Sequence, residues 1–154
     1  MSFQNCQFCI LMLPVLCLLC CTSGRREQSA AAKEFTVIFG SGGGFTGMAG
    51  GYIIHSDGKI EKWSGLYFRR DKIEPFGAAA PGALQPVQQV FQDGTFQQWE
   101  FRDAGNMTTN VWCISGQDTT IVSWNGLEPG PEVPSPIREF YGHLLNAVQS
   151  AQNR

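Results

Sequence analysis

From residue 34 onward the hydrophobic positions recur in twos. Phe35, Val37 and Phe39 alternate with Thr36 and Ile38, which predicts a first strand over residues 34–39 with at least one buried face. The glycine-rich run 40–47 reads as a turn. Two β-rich runs, 51–56 and 59–63, flank Asp57-Gly58, whose glycine tolerates the positive φ of a tight primed turn, so an antiparallel hairpin is expected there. Residues 66–70 extend or follow that sheet, and residues 76–81, with Gly77 and three alanines, read as a connecting loop.

At Ala83 the period changes. Leu84, Val87, Val90 and Phe91 recur at helical intervals, with Pro86 accommodated in the first turn and Asp93-Gly94 as a stop. Residues 96–102 return to alternation, Trp99 and Phe101 on one face and Gln98, Glu100 and Arg102 on the other. Residues 110–115 and 119–124 form a second predicted hairpin across Gly116-Gln117-Asp118. The prolines of 127–134 exclude regular structure. Ser135-Pro136 then caps a helix whose apolar stripe is Ile137, Phe140, Tyr141, Leu144, Leu145 and Val148. The order β-β-β-α-β-β-β-α predicts an α+β fold, a mostly antiparallel sheet with both helices packed on one face.

The first 24 residues depart from this pattern. They carry no charged side chain and hold five of the six cysteines. The apolar run 8–21 is shorter than the roughly 20 residues a spanning helix needs, and Pro14 interrupts it, so it reads as a signal-peptide core. Leu18-Leu19-Cys20-Cys21 resembles a bacterial lipobox, with Cys21 as the lipidated residue because Cys20 supplies the small side chain before the cut. Cys20 itself is the alternative, and plain secretion or palmitoylation of the cysteine cluster are the competing readings. The chain divides into a leader (1–20), a tether with Arg25-Arg26 and three alanines (21–33), and one domain (34–154) in a cell-envelope protein anchored to the membrane by its N-terminal lipid.

Composition narrows the function. With Cys21 acylated only Cys113 remains in the domain; it is expected to be a buried strand residue in 111–114, and stability must come from packing. A net charge of −2 from mixed signs leaves no nucleic-acid footprint. Asn106-Met107-Thr108 is a chance glycosylation sequon. The four tryptophans are the one excess that suggests binding: Trp63, joined by Trp112 and Trp124 if their strands adopt the same face, would form an aromatic surface for a protein partner or a flat platform for a small ligand or glycan. Burial in the core is the competing reading of all of them.

No catalytic set is recognised. Gly42, Gly44 and Gly47 match G-x-G-x-x-G after a strand, but a dinucleotide fingerprint must open a helix, and here the chain leads into the β-run at Tyr52. His55 and His143 lack metal-spaced neighbours, and Ser56 and Asp57 beside His55 point to opposite faces of a strand. The expectation is a protein that is not an enzyme, with no cofactor and no metal.

The motif SGGGFTG, residues 41–47, together with the order of elements behind it, resembles the emfourin-type domain family. Phe96 after the first helix, the hairpin 110–124 and the Pro136-started final helix fit that outline. The resemblance implies an α+β fold and, through the family's named member, inhibition of a thermolysin-like metalloprotease. An extra glycine and a longer insertion at 66–80 set this chain apart, so the fold is carried over and no protease-contacting residue is. Gly42, Gly43, Gly44 and Gly47 are expected to form a tight structural turn, with Phe45 as an aromatic plug buried against the sheet. The lipid expectation is checked by the intact mass of the mature N-terminus: a lipidated Cys21 is the expected result, and an unmodified first residue removes it.

Overall fold

The computed structural model describes residues 33–152. Six antiparallel strands and two helices succeed one another: β1 (Thr36–Gly43), β2 (Met48–His55), β3 (Lys59–Leu66), β4 (Lys72–Ala78), α1 (Pro81–Gln92), β5 (Met107–Ser115), β6 (Asp118–Asn125) and α2 (Ser135–Gln152), with a short 3-10 turn, Thr95–Gln98, after α1. The sheet order is β4-β3-β2-β1-β5-β6, so β1 lies inside the sheet between β2 and β5. The expected α+β fold is the one observed.

Pleat alternation divides the side chains between two faces. Phe35, Val37, Phe39, Ile54, Ile60, Val111, Cys113, Val122 and Trp124 point to the helices and join Leu84, Val87, Phe91, Ile137, Phe140, Tyr141 and Leu144 in the main core. Aromatic rings knit this side: Phe35 stacks on Phe91 with centroids 4.2 Å apart, and Trp124 meets Tyr141 edge-on at 4.9 Å. A smaller cluster, Ile38, Ala49, Ile53 and Trp63, occupies the opposite face, with Phe68, Trp112 and Ile114 against it.

Three local expectations are corrected. Residues 72–78, partly assigned to a loop, form edge strand β4. This edge strand turns only Phe76 toward the core, where its ring meets Tyr52, so one position marks its inner face, and Pro75 and a bulge opposite Ile60/Glu61 obscure the alternation further. Residues 66–70, expected to extend or follow the sheet, do so only at their start: Leu66 ends β3, and the chain then turns back through left-handed backbone at Tyr67 (φ 50°) and Phe68 (φ 61°). Residues 96–102 make no regular strand: after the 3-10 turn they run as an arm that touches β6 through one parallel bridge, Arg102 to Ser123. The Trp99 and Phe101 alternation reports packing against the main core, which an arm satisfies as well as a strand. Helix α1 also begins two residues before Ala83, placing Pro86 in its second turn at the loss of one backbone bond. In α2, Leu145 lies at the margin of the stripe, 38% exposed.

Two buried titratable groups follow from the packing. Burial pushes the Cys113 thiol far above its ordinary range. Burial, and then the charge of Glu128, raises the Tyr141 phenol to about 12. An unfolded tyrosine loses its proton near pH 10. Between pH 10 and 12 the unfolded chain therefore binds fewer protons than the native one through this tyrosine, and the raised Cys113 thiol adds an imbalance of the same sign from about pH 8.5, where an unfolded thiol ionises, so stability falls as pH rises above about 8.5 and more steeply above about 10. Alkaline unfolding monitored by circular dichroism should show this slope, and Tyr141→Phe should reduce it above about pH 10 while leaving the Cys113 part in place.

Candidate functional site: the open face of the sheet and its apolar end

The open face is built on a glycine floor. Gly51 pairs with Gly40 on one side and Trp63 on the other, so no side chain rises between β3 and β1. The Trp63 indole lies across this gap and its Nε1–H donates to the Phe39 carbonyl at 3.2 Å. A Cβ at Gly40 would stand 2.6 Å from the indole, and one at Gly51 would collide with the Phe39 carbonyl. Trp63 is thereby 1% exposed on a face no helix covers. Phe68 completes the cover, its ring 6.3 Å from that of Trp63 and 5.9 Å from that of Trp112. Bulky residues pay about 1–2 kcal/mol for left-handed backbone, so this packing must hold Tyr67 and Phe68 in place.

The three candidate tryptophans therefore separate. Trp63 and Trp112 come together on the open face with Phe68 between them, but Trp63 is sealed beneath the 67–70 loop. Trp124 lies on the helix side, fully buried, with its indole N–H lacking a partner among the described residues. The sheet face thus does not form the three-tryptophan platform expected. The pleat assigns 112 and 124 to opposite faces because they sit on antiparallel neighbours in the register Trp112 to Ile121.

The motif 41–47 lies at the far end of β1 from Lys33. Its first three residues continue the strand, and Ser41 shares a 2.6 Å hydrogen bond with the buried Thr109, which donates to the Gly126 carbonyl. Gly42 packs against Ala49, and Gly43, Gly44 and Gly47 all adopt positive φ. The turn is tied on both sides: the Gly44 amide donates to Asn106 at 2.7 Å, and the Tyr67 amide to Gly47 at 2.8 Å. Phe45 is a correction. It does not plug the sheet; it stands fully exposed at the tip, because two flanking glycine turns and their ties hold the backbone without it. Met48, Leu66 and Tyr67 are also exposed nearby, the Tyr67 ring lying over Gly47.

At the opposite end of the open face a polar group lies where the register of the Asp57-Gly58 hairpin puts it. Ile54 opposes Ile60, so His55 and Glu61 are diagonal neighbours, and the His55 Nε2 is 2.8 Å from Glu61 Oε2. The Lys59 ammonium donates to Glu61 Oε1 at 2.7 Å. Lys59 first, then His55, hold the Glu61 carboxyl below the usual carboxylate range. The cleft here, about 530 Å³, is bordered by His55, Ser56 and Asp57, yet the only carboxylate bonded to His55 is Glu61 and no hydroxyl or thiol bonds to the ring among the described residues. This linkage was legible in the hairpin register. The Tyr67-Phe68 fold-back carried no signal in the letters.

Among the described residues no three or more His, Cys, Asp and Glu side chains gather as a metal site, and no helix is long and apolar enough to cross a membrane. Cys21 lies outside the described residues. Compared with known proteins, the chain matches no family model and no curated sequence.

The glycine floor makes a testable contrast. Gly51→Ala should destabilise the fold by more than the ~1 kcal/mol of an ordinary Gly/Ala difference, read as a lowered melting temperature, and expose Trp63 to fluorescence quenchers. Gly142→Ala in α2, where a Cβ meets nothing within 4 Å, should instead raise it.

Proposed function

We propose that this chain is a non-catalytic, lipid-anchored envelope protein that binds another protein through the apolar end of its sheet, with inhibition of a secreted metalloprotease as the most concrete form. The observation that carries the reading is Phe45, fully exposed at the tip of a turn tied down by Asn106 and Tyr67. An aromatic side chain held out from a rigid turn loses little conformational entropy on insertion, which is what a binding anchor requires. It suits a concave pocket on the partner, with Met48, Leu66 and Tyr67 as the surrounding contact.

Strand β1 supports this arrangement. It runs from Lys33 toward the tip, about 26 Å over its length, so a domain tethered through its N-terminus presents Phe45 on the side away from the tether. If Cys21 carries lipid, the residues between it and Lys33 reach at most about 40 Å. The resemblance at residues 41–47 supplies the protease class; the geometry of Phe45 supplies only a protruding aromatic.

Titration against secreted metalloproteases, with a pull-down from envelope extract, tests the reading. Phe45→Ala should leave the melting temperature unchanged and weaken binding about 30-fold or more, the ~2 kcal/mol of an interface anchor. Failure of the unmutated protein to inhibit any such protease or to retain a partner removes the reading.

A further inference from the structure

A second surface, at the other edge of the sheet, offers backbone rather than side chains. Ser123 on β6 donates its amide to the Phe101 carbonyl and accepts from the Asp103 amide, both at 3.0 Å, so both its backbone groups point away from β5. Pointing direction alternates along an antiparallel strand, and Ile121 and Thr119 share the parity of Ser123. Their N–H and C=O groups therefore face outward as well. Among the described residues no backbone group bonds to them.

These groups open into a cleft of about 540 Å³ between β6 and residues 97–102. The Gln97 amide bonded to Asp118 at 2.6 Å bounds one end, and the Phe101–Ser123–Asp103 ladder bounds the other. Between these limits the strand presents about four residues, some 13 Å. Trp99 and Phe101 form the wall on the helix side, with Arg102 at the rim.

The sheet's two edges are treated differently. Edge strand β4 carries Lys72, Glu74, Pro75 and a bulge, the devices by which an exposed edge resists pairing. Residues 119–121 carry no proline, no charge and no bulge, and among the described residues no strand pairs with their outer side, which opens to the cleft. The wall at 97–102 also limits the occupant. It lines the cleft along its length and meets β6 at both ends, through Gln97–Asp118 and the Phe101–Ser123–Asp103 ladder, a bounded space that suits one short extended segment.

We propose that this cleft is a β-addition site that takes about four residues of an extended peptide from a partner protein, hydrogen-bonded to the outward backbone groups of Thr119 and Ile121. One set of alternate side chains lies over Trp99 and the other beside Ile121, so a segment alternating apolar and polar residues fits. The site is independent of Phe45 and stands or falls separately from the function proposed above.

The test is amide hydrogen exchange at Thr119 and Ile121, read by NMR on the full chain. The probes are the capped pentapeptide threonyl-valyl-threonyl-valyl-threonine and the same peptide N-methylated at every residue, which retains the side chains but cannot donate. The first peptide should slow exchange at both amides at least tenfold at saturation, and the second should not. Equal slowing by both peptides, or none by either, overturns the proposal. Exchange already slow in the protein alone also overturns it, because the chain's own residues or a second copy then hold the edge.

Discussion

A sheet covered by helices on one face must still shield apolar side chains on the other, and here a single ring does most of that. Trp63 lies flat across Gly40 and Gly51, a position open to it only because neither neighbour has a side chain. Its body covers the backbone of β1 and β2, and its N–H finds the Phe39 carbonyl. An indole laid on a strand in this way buries large apolar area without a second layer of structure. The abundance of glycine in β1 and β2 is therefore a packing requirement of the sheet as well as a turn signal.

The loop after β3 depends on that arrangement. Phe68 reaches Trp63 and Trp112 only if the chain passes through left-handed backbone at 67 and 68, and the cost is offset by the aromatic cluster it completes. The same reversal sets Tyr67 over Gly47 and lets its amide bond to the Gly47 carbonyl. The tip that carries Phe45 is thus braced by the cover of the open face. Rigidity at the tip and burial of Trp63 are two consequences of one fold-back.

Chemistry is sparse by comparison. His55, Glu61 and Lys59 form a linked polar group at the end of the hairpin, and Glu61 is held charged by its two partners. Cys113, with its thiol pushed up by burial, is packing material. What the molecule presents outward is an aromatic tip, apolar residues around it, and a short stretch of unpaired strand edge. They lie at the other end of the sheet from the polar group or on its far edge, and it is on them that the proposed recognition rests.

The letters alone determined whatever depends on neighbours within one element. The alternation of Phe35, Val37 and Phe39, the Asp57-Gly58 and Gly116-Gln117 hairpins, and the stripe from Ile137 to Val148 each follow from local periodicity and turn chemistry, and together they specify an α+β fold. Tertiary structure decided what depends on partners distant in sequence. Strand β4 turns only Phe76 toward the core, so its letters carry no period; residues 96–102 alternate because the core takes Trp99 and Phe101, although no ladder forms. Trp63 and Trp124 were both read as candidates for an exposed face, but which face a tryptophan takes, and what covers it, is set by the register of strands and by glycines contributed from elsewhere. Phe45 shows the reverse case: a phenylalanine in a glycine turn reads as a plug, and only the hydrogen bonds from Gly44 to Asn106 and from Tyr67 to Gly47 explain how the turn holds its shape with that ring left in water.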